Sequence, residues 1–211
     1  MDLGINSRVA IVTGASTGIG CAVALELARN HAHLVMVARD EKRLQIAADE
    51  VRSSTNAEVL TVSADVAQHH ASTAVIEKTI NQFGRVDILI NNAGRAHTGG
   101  LMQSTETDWY EMTEIKLGAM RRFCLAAIPE MRKLQWGRIV NMSSIGGIYP
   151  NPKLLISHAL SAAINNITKS LALEVAKDGI LVNAIGIGAV ATDNWANNMI
   201  PAVRRERSEF R

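Results

Sequence analysis

The chain is poor in cysteine, aromatic residues and long apolar runs, and each shortage excludes a class of protein. Its 211 residues contain two cysteines, both in predicted helices, so neither a disulfide framework nor a Cys-x-x-Cys metal site is expected. Aromatic residues make up 4% of the chain, too few for surfaces that stack single-stranded nucleic acid. The longest apolar run, 179–191, contains Asn183 and is too short to span a membrane.

An excess of one charge is also lacking. The chain has 22 basic and 20 acidic residues, a net charge of +2, so nothing requires a nucleic-acid-binding face. Hydrophobic residues make up 47%, enough for one well-packed α/β domain over residues 1–211. The first six residues do not have the pattern of a signal peptide, so a cytoplasmic protein without a membrane partner is expected.

Two kinds of apolar segment alternate along the chain. Short apolar runs such as 34–37 predict strands that are buried on both faces, as a parallel sheet requires. Six strands are predicted, at about residues 8–13, 33–38, 58–63, 86–91, 138–143 and 180–185. Helical patterns lie between them, at about residues 18–30, 40–53, 67–82, 107–134 and 155–178. The alternation predicts a doubly wound parallel sheet in three α/β/α layers.

A glycine-rich turn joins the first predicted strand to the first predicted helix. Gly14, Gly18 and Gly20 have the spacing Gly-x3-Gly-x-Gly, directly after the apolar run 9–12. Glycines let the backbone approach a phosphate, and the free N–H groups at the start of a helix point towards it. The spacing differs from the Gly-x-Gly-x-x-Gly of the usual dinucleotide fingerprint. A tight turn without a ligand is the alternative, but the place after the first strand favours nucleotide binding.

The end of the second strand bears on the choice of cofactor. An acidic residue there would hydrogen-bond the ribose 2′-hydroxyl of NAD(H), whereas an arginine can pair with the 2′-phosphate of NADP(H). The chain has Ala38 followed by Arg39, so NADP(H) is favoured over NAD(H). Asp40 is the competing signal, although its place at the start of a helix favours a helix N-cap. A plain surface arginine is the alternative for Arg39.

Two further strand ends carry small or polar residues. Asp65 follows the third strand, where it either contacts an adenine edge or caps the next helix. Asn91, Asn92, Ala93 and Gly94 close the fourth strand. Such residues suit a cofactor that lies across this edge of the sheet, although an ordinary Asn/Gly turn is the alternative.

Taken in order, these motifs resemble those of the short-chain dehydrogenase/reductase family. The stretches 13–20 and 91–94 match its glycine motif and its Asn-Asn-Ala-Gly signature, and Asp65 matches its adenine contact. The stretches 137–144 and 182–193 are similar to its fifth strand and to its sixth strand with the nicotinamide loop. The resemblance covers essentially the whole chain and implies a Rossmann-like fold, a nicotinamide cofactor and carbonyl/alcohol chemistry. It implies cofactor contacts from Gly14, Ser16, Thr17, Gly18, Ile19, Gly20, Arg39, Asp65, Val66, Asn92, Ala93, Gly94 and Thr192.

The resemblance breaks at the family's catalytic residues, which are a serine, a tyrosine, a lysine four residues later, and an asparagine on the preceding long helix. Ser144 matches the serine, which orients the substrate oxygen; a strand-end serine that satisfies backbone groups is the alternative. Ser157 stands at the tyrosine position, Ser161 at the lysine position and Lys116 at the asparagine position. Ile187 also replaces the proline of the nicotinamide loop. The chain therefore resembles a divergent branch that lacks the Tyr-x-x-x-Lys pair.

The missing tyrosine matters because a serine hydroxyl is a far weaker acid. Tyrosine has an ordinary pKa of about 10, which a nearby lysine lowers further. Ser157 and Ser161 lie one helical turn apart, so both can face the site and bind a substrate oxygen or a water. Lys116 is an attractive acid because a cationic nicotinamide would depress its pKa. Tyr149 is expected in a loop or a pocket wall, and His158, adjacent to Ser157, is expected to be exposed.

The family continues with another strand and helix, so this chain is C-terminally short by comparison. Residues 194–211 are charged and expected to form a mobile tail. Without a further strand, the sixth strand would be an exposed apolar edge, which predicts a homo-oligomer, either a dimer or a tetramer.

These observations predict an oxidoreductase that transfers a hydride between NADP(H) and a small carbonyl or alcohol, with a degenerate catalytic site and no metal. The missing tyrosine and lysine keep open a second possibility, a silent or weakly active NADP(H)-binding subunit or regulator. A truncated gene product without function is a third. The substrate pocket would be built largely from variable loops, so the sequence names no substrate.

Overall fold

The computed structural model describes residues 3–192. Within that range, six parallel strands form one sheet in the order β3-β2-β1-β4-β5-β6. The strands are β1 (Val9–Thr13), β2 (His33–Ala38), β3 (Val59–Ser63), β4 (Ile88–Asn91), β5 (Gly137–Ser144) and β6 (Ile180–Ile187). Because β1 lies between β2 and β4, the winding reverses there, and a crevice opens at the carboxyl ends of these strands. The predicted doubly wound parallel sheet is confirmed.

Helices cover both faces of the sheet. They are α1 (Gly18–Arg29), α2 (Glu41–Ser54), α3 (Ala71–Phe83), α4 (Glu106–Thr113), α5 (Ala119–Leu134) and α6 (Leu155–Val175). Alternate residues of β1 belong to different cores: Val9 and Ile11 share one with α3, α5 and α6, whereas Ala10 and Val12 share the other with α1 and α2. The sheet is therefore apolar on both sides, and the predicted three layers are present.

One predicted helix is divided by an irregular turn. The pattern predicts a single helix at 107–134, but α4 and α5 are joined by a π-helical turn at Glu114–Gly118. Apolar periodicity does not distinguish this turn from an α-helix, because both keep nearly the same faces buried. The turn contains Lys116, and π-helical turns are frequent at functional sites.

The two predicted aspartate caps have different outcomes. Asp40 Oδ1 accepts a hydrogen bond from the Arg43 N–H at 3.0 Å, which confirms Asp40 as the N-cap of α2. Asp65 does not cap a helix, because α3 begins only at Ala71. Its Oδ1 instead accepts from the Ala67 N–H at 3.0 Å, which closes a local turn after β3. The helix-cap alternative for Asp65 is therefore wrong.

The remaining sequence predictions concern the edge of the sheet, the C-terminal tail, membrane-spanning helices and metal sites. β6 is an edge strand of the sheet formed by residues 3–192. The predicted mobile tail at 194–211 lies outside the described residues. In the described part of the chain, no helix is long and apolar enough to cross a membrane, and no group of three or more His, Cys, Asp or Glu residues could hold a metal ion.

Candidate active site

A large cavity of about 1890 Å³ opens at the carboxyl ends of the strands. Every residue predicted to contact the cofactor lines it, and so do the three predicted catalytic residues, Ser144, Lys116 and Ser157. Pockets for one drug-sized ligand typically measure about 300–1,000 Å³. The cavity therefore has room for a dinucleotide and a small substrate together.

The glycine turn after β1 lines the middle of the cavity, between the residues that follow β2 and β3 and those that follow β4, β5 and β6. Gly14 has φ +68°, and a Cβ built on Gly20 would overlap with the Gly14 carbonyl oxygen, so neither position suits a side chain. The N-cap of α1 is Thr17, whose side chain makes no capping hydrogen bond. The first N–H groups of α1 are therefore left for a ligand, as an anion site at a helix N-terminus requires.

Asn92 and Thr13 hold this turn against the end of β4. Thr13 Oγ1 accepts hydrogen bonds from the N–H groups of Asn92 and Ala93, both at 3.0 Å. Asn92 Nδ2 donates to the carbonyl oxygens of Thr13 at 2.9 Å and Gly14 at 3.2 Å. The Asn-Asn-Ala-Gly stretch thus fixes the backbone of the glycine turn as well as lining the cavity, so an ordinary turn is an incomplete description of it.

One arginine, Arg39, directly follows β2, and a second, Arg43, lies in the first turn of α2. Arg39 is exposed and lines the cavity. Arg43 lines it as well, and its Nε lies 3.5 Å from Asp40 Oδ2. Arg43 was not among the predicted cofactor contacts. It lies one helical turn after the Asp40 cap, and this spacing could have indicated that Arg43 is near Arg39.

The turn after β3 is held by a buried arginine of α5. Arg122 donates to the carbonyl oxygens of Val66 at 3.4 Å and Ala67 at 3.0 Å, and it pairs with Glu114 at 2.6 Å. Asp65 and Val66 line the cavity from this turn. Arg122 thereby connects the π-helical turn to the predicted adenine site. No local sequence pattern indicates this contact, because it joins residues 55 positions apart.

Ser144 and Lys116 line the part of the cavity beside β4 and β5. Ser144, the last residue of β5, accepts at Oγ a hydrogen bond from the Gly146 N–H at 3.1 Å. Its hydroxyl proton has no acceptor within residues 3–192, so it is available to a substrate oxygen. Lys116 is partly buried, and that burial lowers its pKa. A lysine with a lowered pKa releases a proton more readily at neutral pH.

Ser157 and Ser161 use their hydroxyls within the protein. Ser157 Oγ accepts from the His97 N–H at 2.7 Å and donates to the His97 carbonyl oxygen at 3.2 Å. Ser161 is fully buried, does not line the cavity, and donates to the Ser157 carbonyl oxygen at 2.8 Å. The expectation that both hydroxyls face the site is therefore wrong for Ser161, and Ser157 reaches the cavity with its hydroxyl already paired.

His158 and Tyr149 also line the cavity. The sequence predicts an exposed His158, because neighbouring helical residues face apart, but its ring is partly buried in the cavity wall. The prediction fails because the cavity lies around the first turn of α6, where two successive residues can both reach it. Tyr149 belongs to the loop after β5 and is 74% exposed, so it stands at the rim.

Comparison with known proteins identifies the class that this fold and site define. A family model described as short chain dehydrogenase matches residues 8–200. An uncharacterized oxidoreductase of Staphylococcus saprophyticus is 34% identical over 188 residues, which are 89% of this chain and 80% of that protein. The L-sorbose reductase of Gluconobacter frateurii, solved with NADPH and L-sorbose, is 36% identical, with a TM-score of 0.93 over 97% of this chain and 78% of that one.

The chain therefore belongs to the short-chain dehydrogenase family, as its motifs predicted. A further solved structure, an NAD⁺-bound xylitol dehydrogenase, is 28% identical, with a TM-score of 0.83 over 86% of this chain and 70% of that one. The two solved relatives hold different nicotinamide cofactors, so the residues of this chain must indicate its own preference.

Proposed function

We propose that this protein is an NADP(H)-dependent oxidoreductase that transfers a hydride between its cofactor and a small carbonyl or alcohol substrate. The observation that carries the proposal is one cavity that joins the glycine turn and two arginines to Ser144 and Lys116. Family membership supports it, because the relatives named above are an oxidoreductase, a reductase and a dehydrogenase.

The two arginines favour NADP(H). Arg39 and Arg43 would both be near a ribose 2′-phosphate, and charge-assisted hydrogen bonds of this kind are the stronger ones. The 2′-hydroxyl of NAD(H) would need an acceptor, and Asp40 already uses its carboxylate to cap α2. The NADPH in the related sorbose reductase supports the same choice.

The remaining cavity walls fit the rest of the dinucleotide. Gly14 and Gly20 leave room for the pyrophosphate, and the first turn of α1 offers it N–H groups. A Cβ on Gly18 would lie 3.7 Å from Thr192 Cγ2, which places Thr192 beside the same turn. NADPH bound here would supply the hydride; everything else in the reaction falls to side chains of this chain.

Those side chains act on the substrate oxygen. As a carbonyl carbon accepts a hydride, its oxygen gains negative charge and then needs a proton. Ser144 can donate a hydrogen bond that orients this oxygen, and the Lys116 ammonium can donate the proton. In the oxidative direction the neutral amine of Lys116 accepts the alcohol proton instead.

This active site operates without the family's Tyr-x-x-x-Lys pair. Ser157 and Ser161 stand at those positions, and their hydroxyls are engaged with backbone groups. General acid catalysis is worth about 10²–10⁴-fold. We therefore propose a degenerate site in which simple ketones react slowly unless Lys116 supplies the proton, and quinones, which need no protein acid, are affected less.

A silent NADP(H)-binding subunit is the second candidate. The observation in its favour is that both serines are committed to structural hydrogen bonds, so the cofactor end of the cavity is retained without the family's acid. Such a subunit would bind NADPH but leave it unoxidised.

We also propose that the chain assembles into a homo-oligomer in the cytoplasm. Leu181 and Ile185 of the edge strand β6 are about half exposed, and Leu125 of α5 and Leu173 of α6 are more so. Exposed apolar edges pair or aggregate unless they are covered. A monodisperse monomer in light scattering at micromolar concentration would contradict the assembly.

The direct test is stopped-flow absorbance of bound NADPH, mixed with a panel of small ketones, L-sorbose and quinones. Oxidation of NADPH by at least one carbonyl, with the corresponding alcohol as product, is the expected result. Tight NADPH binding with no oxidation by any member of the panel would contradict hydride transfer and support the silent subunit.

A further inference from the structure

His158 has one ring nitrogen, Nε2, without a hydrogen-bond partner within residues 3–192. The residue lies in the first turn of α6 and lines the same cavity as Ser144 and Lys116. Its Nε2 makes no hydrogen bond within residues 3–192 and is not among the buried, unpaired side-chain atoms of that range. It is therefore accessible to a ligand.

The other ring nitrogen fixes which atom carries the proton. Nδ1 accepts a hydrogen bond from the Asn151 N–H at 2.8 Å. A nitrogen that accepts a hydrogen bond carries no proton, so the neutral ring must carry its proton on Nε2. The backbone at Asn151 thereby makes His158 an N–H donor in the wall of the cavity.

The surroundings keep this ring neutral. Burial lowers the pKa of His158, and the nearby Lys116 ammonium lowers it further. Lys116 of the π-helical turn acts on the ring, and Tyr149 and Lys153 of the loop after β5 line the same cavity. None of the three is an acid that would stabilise an imidazolium.

Gly146 makes room for the ring next to Ser144. A Cβ built on Gly146 would overlap with the imidazole, so the ring lies directly against the backbone there. The same Gly146 donates its N–H to Ser144 Oγ at 3.1 Å. The imidazole and the Ser144 hydroxyl therefore both contact Gly146, and both residues line the same cavity.

We propose that His158 is a catalytic residue whose Nε2–H donates a hydrogen bond to the substrate carbonyl oxygen, the role that the missing tyrosine hydroxyl leaves open. The inference rests on the proposed function. The carbonyl carbon gains the hydride supplied by the reduced cofactor, the C=O π pair moves to oxygen, and the oxygen takes a proton from Lys116, which is replenished from water. His158 keeps its proton throughout and stabilises the oxyanion as a neutral donor.

Two substitutions of His158 distinguish the proposed Nε2–H donor from the hydrogen bond that Nδ1 accepts from Asn151. In His158→Asn, the amide oxygen can still accept from the Asn151 N–H, but the donor at the Nε2 position is gone. We expect kcat for the best ketone to fall about 100- to 1000-fold, as for removal of one oxyanion donor. His158→Gln, which can place an amide N–H near the Nε2 position, should recover at least tenfold of this loss. The Kd of NADPH should stay within twofold in both variants.

Gly146→Ala tests the placement of the ring independently. The added methyl group would displace the imidazole, so the variant should lose ketone reduction as His158→Asn does. The double variant Gly146→Ala with His158→Asn should lose no more ketone reduction than either single variant, because both substitutions remove the same hydrogen bond to the substrate. Additive losses would contradict a shared cause.

Nitrogen NMR of histidine-labelled protein gives a readout that does not depend on turnover. At neutral pH the His158 ring, assigned by its absence in His158→Asn, should be neutral with the proton on Nε2. Lys116→Met should raise its pKa, because a nearby cation is removed. A proton on Nδ1, or an imidazolium at neutral pH, would overturn the proposal.

Failure of this proposal differs from failure of the proposed function. If the wild-type protein oxidises NADPH with ketones and His158→Asn keeps the full rate, the role of His158 is wrong and hydride transfer stands. If the wild-type protein oxidises NADPH with no acceptor, the proposed function is wrong, and a substrate role for His158 falls with it.

Discussion

The two ends of the cavity are built on different principles. At the proposed cofactor end, the cavity wall is mainly backbone: Gly14 and Gly20, the first N–H groups of α1, and a turn held by Thr13 and Asn92. At the substrate end, the chemistry depends on individual side chains. Backbone sites tolerate few substitutions, whereas a side-chain function can move to another residue that reaches the same space.

A buried polar chain ties the two ends together. Asn91 Nδ2 donates to Asn141 Oδ1 at 2.9 Å, and Asn141 Nδ2 donates to Thr168 Oγ1 at 2.9 Å. This chain links β4, β5 and α6 through side chains that are nearly or fully buried. Side-chain hydrogen bonds therefore hold β5 and α6, which carry Ser144 and Ser157, to β4.

The largest expected effect comes from restoring the family's lysine at the substrate end. Ser161 is fully buried, so Ser161→Lys would place an ammonium in the core. We expect a loss of several kcal/mol in the free energy of unfolding, measured by urea denaturation. Ser161→Ala, which loses only the bond to the Ser157 carbonyl, should cost about 1 kcal/mol.

The pair Ser157→Tyr with Ser161→Lys would sharpen the comparison further. The match of positions to the family predicts faster ketone reduction by this variant, whereas the burial of Ser161 predicts an unstable protein. A stable, faster enzyme would show that the substrate end still has the family's geometry.

The second largest effect is expected at the glycine turn. Gly20→Ala would push the new methyl group into the Gly14 carbonyl, so the Kd of NADPH, measured by fluorescence titration, should rise at least 100-fold. Gly84→Ala is the matched control: it has φ +71° and no neighbour within 4 Å, and it lies away from the cavity. It should lose about 1 kcal/mol of stability and keep the NADPH affinity. Equal affinities for the two variants would mean that the turn does not bind the cofactor.

A smaller effect is expected at the arginines. Arg39→Ala with Arg43→Ala should weaken NADPH binding about ten- to a hundredfold and leave NADH binding nearly unchanged, since a charge-assisted hydrogen bond contributes about 1.5–3 kcal/mol. Calorimetric Kd values for both cofactors measure this. Arg29→Ala, at the far end of α1, controls for a general loss of positive charge. If Arg39→Ala with Arg43→Ala still binds NADPH more tightly than NADH, the 2′-phosphate is bound by other residues.

The cofactor end of the cavity could be predicted from the sequence better than the substrate end. The strands were predictable because each buried strand is a short apolar run, and the glycine turn was predictable because a positive φ and a close approach demand glycine at Gly14 and Gly20. The Asp40 cap followed from local chemistry alone. These features depend on residues close together in the chain.

The substrate end was predicted less well because its features depend on distant residues. The pairing of Ser157 with the His97 backbone joins residues 60 positions apart, and no local pattern indicates it. His158 was misplaced because a rule about helix faces does not apply where a cavity wraps around the end of a helix. The burial of Lys116 depends on a π-helical turn that apolar periodicity cannot reveal.

The central claim is that the cofactor end is intact while proton delivery has moved to Lys116. The most direct test is single-turnover oxidation of bound NADPH by a ketone and by a quinone, in the wild-type protein and in Lys116→Met, across a range of pH. We predict that Lys116→Met slows the ketone reaction about 10²–10⁴-fold. The quinone reaction should slow less than tenfold, and the Kd of NADPH should not change. In the wild-type protein the ketone rate should fall as pH rises through the pKa of Lys116, which burial places below its ordinary value, and the variant should lose this dependence. A Lys116→Met variant that keeps the full ketone rate and the same pH profile would contradict the account.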